Sequence, residues 1–175
     1  MGTTENFIRG PAENESTVYQ LGHYGIALLC YAPVARLFVG AGEPHAALAG
    51  GLLVAGAAVL PDCDVYLPLS HRGLTHTLWF VVGVGVAVAV AVVTVATQST
   101  ATGVRPFWGP VAGLLAAGAV LSHVAVDAAT PMGIRPFAPL SDWHVTLDLV
   151  ASKHRTANVS LFLIGGAAVA IATMV

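Results

Sequence analysis

The stretch PDCDVYLPLSHRGLTH, residues 61–76, decides how this chain is read. It sets Asp62, Asp64, His71, Arg72 and His76 between two runs made mostly of Ala, Val, Gly and Leu. Ionisable groups beside such runs are costly unless they pair, bind a metal or do chemistry, so the stretch reads as a functional site joining two membrane helices. The run before it, residues 46–60, would extend roughly 22 Å as a helix, short of a hydrocarbon core of about 30 Å. Pro61 then halts the helix early, and the acidic pair should be recessed. The run behind it, residues 74–97, is Val-rich and long enough to span.

Composition agrees. The 175 residues are 56% hydrophobic and only 9% charged, against about a quarter charged in soluble proteins, which places the chain in the membrane class. A net charge of -2 and the lack of a basic patch argue against a nucleic-acid partner. Cys30 and Cys63 make no disulfide framework; Cys30 reads as a small core residue, and Cys63, between two aspartates, as a spacer or a soft metal ligand. Residues 1–20 form a polar tail without the pattern of a cleaved signal, so the first span would also target the chain.

Working outward, apolar runs at 23–41 (interrupted by Pro33), 46–60, 74–97, 107–127 and 158–175 predict an all-α, polytopic membrane helix bundle of about five transmembrane helices, one domain over residues 21–175. The connection 130–157 is the longest. Its prolines forbid a long helix at its start, and its later half is expected to form a short interfacial helix with Trp143 at headgroup level. Five crossings leave Arg9, Arg72, Arg135, Lys153 and Arg155 on one side and Arg105 on the other. Basic residues mark the cytoplasmic face, so the site is expected at the cytoplasmic end of the inner membrane bundle. The same parity brings His23, Asp62, Asp64, His71, Arg72, His76, His123 and Asp127 to one level from the ends of four spans.

These residue types suit a divalent metal. An extended backbone would send Asp62 and Asp64 to one side as paired oxygen ligands for Zn, Mn or Mg; the alternative is a helix-ending turn paired with Arg72. His71 and His76 can face one point if Gly73 breaks the helix and Thr75 caps the third span. His123 and Asp127, four apart, share a helix face. His23 is read as ligand, base or interfacial histidine. Thr130, Pro131, Met132 and Gly133 suggest a tight turn over the site. Arg72 is the expected partner of an anion such as phosphate, while Lys153, His154 and Arg155 read as a lipid-phosphate site or a positive-inside anchor. No nucleophile elbow, Walker loop or HExxH is present, which leaves hydrolysis by metal-activated water, with Asp64 or His76 to take the proton and Arg72 beside them.

His23, PDCD at 61–64, HRGLTH at 71–76 and SHVAVDAATPMG at 122–133, in this order, resemble the YdjM-like family, described as LexA-binding, inner-membrane, metal-dependent hydrolases. The resemblance covers residues 20–157. It implies a multi-pass membrane protein with a metal centre, zinc ahead of manganese or magnesium, and a ligand set of Asp62, Asp64, His71, His76, His123 and Asp127, with His23 as an addition. LexA binding belongs to the family's name rather than to any feature here. The expected function is a membrane-embedded metal-dependent hydrolase acting on a lipid or phosphoester at the cytoplasmic leaflet, with membrane lipid and a small-molecule or lipid substrate as partners. A metal transporter or other non-enzymatic membrane protein is the alternative. A metal-free phosphatidic-acid-phosphatase type ranks behind both, because its KxxxxxxRP and PSGH segments have no counterpart.

Overall fold

A computed structural model describes residues 12–68, 70–98, 103–149 and 155–174, with side chains from residue 20 onward. The described residues form five α-helices: α1 (Ala12–Gly40), α2 (Pro44–Ala57), α3 (Leu78–Gln98), α4 (Trp108–Ala128) and α5 (Arg155–Met174). Each contributes a candidate membrane span by length and hydropathy: Gln20–Gly40, Pro44–Tyr66, Leu78–Gln98, Trp108–Ala128 and Arg155–Met174. The all-helical membrane bundle expected from the apolar runs is therefore what the chain forms. α1 begins at Ala12, inside the stretch read as a polar tail, and continues through Pro33. Pro44 opens α2, where a missing N–H removes no helical bond.

α1 lies along α5 and α3 along α4, while α2 and α4 close the interior against α1. Only 6% of the apolar window of α3 and of α5 is buried, against 44% for α4, so α4 is the central helix and α3 and α5 face outward. Close approach is bought by small residues. A Cβ on Gly25 would meet the Leu161 backbone, and one on Gly113 would meet the carbonyl of Gly85. Lipid tails are as apolar as leucine, so such backbone contact is a main source of helix association in a bilayer. Ala35, Ala58, Ala116, Val120 and Val124 fill the core, and Tyr31 donates its hydroxyl to the Ala47 carbonyl at 2.6 Å.

The buried polar residues collect at one end of the bundle. His23, Asp64, Thr75, His76, Thr77, His123, Asp127 and Thr130 are all buried there. Two 3-10 turns shape this end, Leu60–Tyr66 after α2 and Leu74–His76 before α3. The candidate span that contains α2 runs on to Tyr66 and so includes Asp62 and Asp64.

The connection after α4 departs from expectation. Its described residues, up to 149, contain no interfacial helix. Ile134 and Val145 instead exchange backbone hydrogen bonds of 2.9 Å, and the N–H groups of Leu147 and Leu149 donate to the carbonyls of Ala128 and Ala129. An extended strap thus satisfies carbonyls that the end of α4 leaves without helical partners, and a helix could not reach them. The Thr130 to Gly133 turn does form, with Gly133 at φ 60° and its N–H bonded to the Thr130 carbonyl at 3.1 Å. Lys153 and His154, read as an anchor or phosphate site, lie outside the described residues, as does Arg9; Arg155 is exposed at the start of α5.

Candidate metal centre

Pro61 lies in the first turn of a 3-10 segment, not of an extended one, and this separates the two aspartates. Asp62 turns inward: its Oδ1 lies 3.4 Å from His123 Nε2 and 3.8 Å from His76 Nε2. Asp64 turns to the other side of His76, with Oδ2 3.5 Å from Nδ1. The expected common face of the pair is corrected by this tighter turn.

On α4, His123 and Asp127 do share a face, and Asp127 Oδ2 stands 3.3 Å from His123 Nε2 and 3.0 Å from His76 Nε2. The two Nε2 atoms are 3.3 Å apart. Asp62, His76, His123 and Asp127 thus each offer one donor atom, all within 4.8 Å of one another. Donors bonded to a tetrahedral zinc at about 2.0–2.2 Å would lie about 3.3–3.6 Å apart, close to the separations found.

Hydrogen bonds behind the rings fix which nitrogen faces inward. His123 Nδ1 lies 2.7 Å from the Ala58 carbonyl, an acceptor, so Nδ1 carries the hydrogen and Nε2 presents a lone pair. The Thr75 hydroxyl has a single hydrogen, which it donates to Asp64 Oδ2 at 3.0 Å. It must then accept from His76 Nδ1, also at 3.0 Å, so Nε2 of that ring is the nitrogen that a metal can take once its proton is displaced. Two lone pairs and two carboxylates aimed at one point repel unless a cation joins them. The donor set fits a divalent ion, and the outer partners are of the kind that orient metal-bound histidines.

Arg72 ties the surroundings together. Its backbone is left-handed, φ 56°, which turns its N–H onto Asp64 Oδ2 at 2.9 Å. Its guanidinium donates to Asp127 Oδ1 and Thr130 Oγ1, both at 2.7 Å, and to the Gly133 carbonyl at 3.3 Å. The side chain read as a phosphate partner is therefore engaged within the protein. His71, with its side chain 48% exposed, bonds Asp64 Oδ1 at 3.0 Å and stands outside the four-residue group. His23 from α1 stacks on His123 with ring centroids 3.8 Å apart, its Nε2 3.8 Å from Asp127 Oδ1. Its Nδ1 is buried without a hydrogen-bond partner among the described residues.

Thr75 does not cap α3. Thr77 does, accepting from the Phe80 N–H at 3.2 Å, so His76 precedes the helix instead of sitting in its first turn. Sequence reading missed Thr75 as the link between Asp64 and His76, and Thr130 as the second anchor of Arg72. Thr75 directly before His76 and Thr130 three residues after Asp127 were the available signals, but in HRGLTH a capping role explained the first equally well.

The profile for "YdjM inner membrane protein" matches residues 19–174. The chain belongs to the YdjM inner membrane protein family. No curated protein and no solved structure matches the chain. As a YdjM family member with five apolar helices it is a multi-pass membrane protein, and the cluster at one end of the bundle is the candidate metal site of this YdjM chain.

One prediction isolates the outer links. Thr75→Val keeps the shape but removes the hydroxyl that holds His76 to Asp64, so zinc affinity should fall about 10- to 100-fold with the helical content unchanged. Competition with a chromophoric chelator reads the affinity, and circular dichroism the fold. Parental affinity in the variant would remove the orienting role of Thr75.

Proposed function

We propose that this protein is a membrane-embedded, metal-dependent hydrolase, with Asp62, His76, His123 and Asp127 as the ion's holders and a lipid or phosphoester of the cytoplasmic leaflet as substrate. The observation that carries the reading is the pair of Nε2 atoms set inward against two carboxylate oxygens. Zinc suits two imidazoles and two carboxylates best, with manganese or magnesium as alternatives. A bound divalent ion supplies water activation near neutral pH. Asp62, its side chain 19% exposed, is the most open of the four. Arg72 and Asp64 act as positioning residues, holding Asp127 and His76. His23, stacked beside the group, is the candidate for a further donor. The excess of basic residues on the connections at this end supports a cytoplasmic orientation. A carrier would need ionisable groups near the midplane and exits on both sides, and α3 contributes no ionisable residue.

Purified protein in detergent should retain about one divalent ion per chain, hydrolyse a lipid phosphoester, lose the activity in chelator and regain it with zinc. Full turnover by metal-free protein would sink the mechanism, and zinc flux into proteoliposomes without hydrolysis would favour transport.

Binding of the ion should depend on pH. Burial opposes charge on His76, but its hydrogen bonds to Asp127 and Asp62 outweigh that and raise its pKa above the ordinary histidine value of 6.5. The metal must displace this proton. Affinity should therefore begin to fall already above the usual histidine pKa and weaken about tenfold per pH unit for each proton displaced. Zinc titrations across the neutral range check it; affinity flat down to pH 5 would contradict it.

A further inference from the structure

Two neighbouring hollows lie beside the metal centre and differ in chemistry. The larger, about 780 Å³, is bordered by Ser70, His71, Arg72, Gly133, Arg135 and His144, among others, and no carboxylate of the described residues lines it. The smaller, about 370 Å³, is walled by Thr77, Trp79, Phe80, Pro139 and Leu140. Leu74 and Ala138 line both, so the basic cleft continues into an apolar groove. The cleft also shares Arg72 with the centre, whose guanidinium reaches Asp127.

The position of the groove matters as much as its lining. Trp79 and Phe80 occupy the first turn of α3, where the apolar span Leu78–Gln98 begins. Trp79 meets Phe137 edge-on at 6.5 Å, and Phe137 stacks on Trp143 at 5.7 Å. Such clustering of aromatic residues is usual where hydrocarbon gives way to headgroups. Leu140 is 78% exposed on the groove's far wall, an apolar surface that water does not favour but an acyl chain would. Arg135 is the cleft's outward cation, and its ion pair with Asp142 is 4.0 Å long and exposed on both sides, which leaves it free to exchange.

We propose that the cleft and the groove together bind one anionic phospholipid, its phosphate between His71 and Arg135 and an acyl chain along Leu74, Trp79 and Leu140. This deepens the hydrolase reading and rests on it only for the lipid's role as substrate. The phosphate lies beside Arg72 and so within one residue of the metal ligands. A lipid entering sideways from the leaflet would not need to leave the membrane.

Native mass spectrometry of the detergent-purified chain, with phosphatidylglycerol or phosphatidylcholine of identical acyl chains, tests the binding, and elemental analysis of the same samples reads the metal. Phosphatidylglycerol should be retained about fivefold over phosphatidylcholine, the effect expected of one basic residue near a lipid surface. Arg135→Glu should erase that preference, and Leu140→Glu should weaken retention of both lipids, with metal content unchanged in each. Glycerol phosphate should displace little lipid; displacement at equal concentration would reduce the site to a phosphate cleft and dismiss the groove. Equal retention of the two lipids, or a preference that survives Arg135→Glu, overturns the proposal. Metal retained without lipid preference defeats this inference alone, whereas lipid preference in a chain that holds no metal defeats the hydrolase reading and leaves the lipid site standing.

Discussion

His123→Ala is expected to purify without the divalent ion proposed above, with a zinc affinity at least about 100-fold below that of the parent chain. The ring is fully buried, tied behind to the Ala58 carbonyl and stacked on His23. His76 Nε2 already faces the same point, His71 lies across Asp64, and the stacked His23 sets its Nε2 3.8 Å from Asp127 Oδ1, the oxygen that Arg72 holds, so none of the three presents a ring nitrogen in the place His123 Nε2 would leave. Alanine leaves Asp62 and Asp127 facing a single imidazole. Ion binding at 100 times Kd stabilises a native state by about 2.7 kcal/mol, so zinc should raise the unfolding temperature of the parent chain and leave that of the variant unmoved. Elemental analysis with thermal unfolding in detergent checks both halves. A variant that still carries stoichiometric zinc would remove the four-residue centre.

Arg72→Met should be the most destabilising single change at this end of the bundle, by about 3–5 kcal/mol, because it leaves the Asp127 carboxylate buried without its partner. The pair is 2.7 Å long with side chains 12% and 4% exposed, so solvent screens it little. Arg72→Lys should recover only part of the loss. One ammonium group cannot reproduce the planar fork that reaches Asp127, Thr130 and Gly133 together. Thermal unfolding of the three proteins ranks them; a lysine variant as stable as the parent would show that charge alone suffices.

Much of this was legible beforehand. The five spans follow from hydropathy because a bilayer leaves a twenty-residue apolar run few other conformations. The gathering of Asp62, His76, His123 and Asp127 followed from parity, since alternate crossings bring those helix ends to one side. The division of labour between Asp62 and Asp64 was not legible. It depends on whether the backbone after Pro61 runs extended or winds as a 3-10 turn, and both conformations tolerate the proline. Arg72 was misleading for a related reason: its left-handed backbone, which aims the amide at Asp64, is atypical for an arginine and carries no sequence signal. The strap from Ile134 to Leu149 was equally opaque, because its pairing with α4 is set by tertiary contact and not by local periodicity.

The bonds of Arg72 also bear on how the molecule is made. A ribosome delivers the aspartates and Arg72 well before Asp127, yet the arginine's partners Asp127, Thr130 and Gly133 all belong to α4 and the turn behind it. Until the fourth helix is in place, Arg72 has Asp64, reached through its backbone amide, but none of the partners of its guanidinium. Insertion of α4 closes that interval by bringing Arg72 its carboxylate, with α5 still to pack along α1.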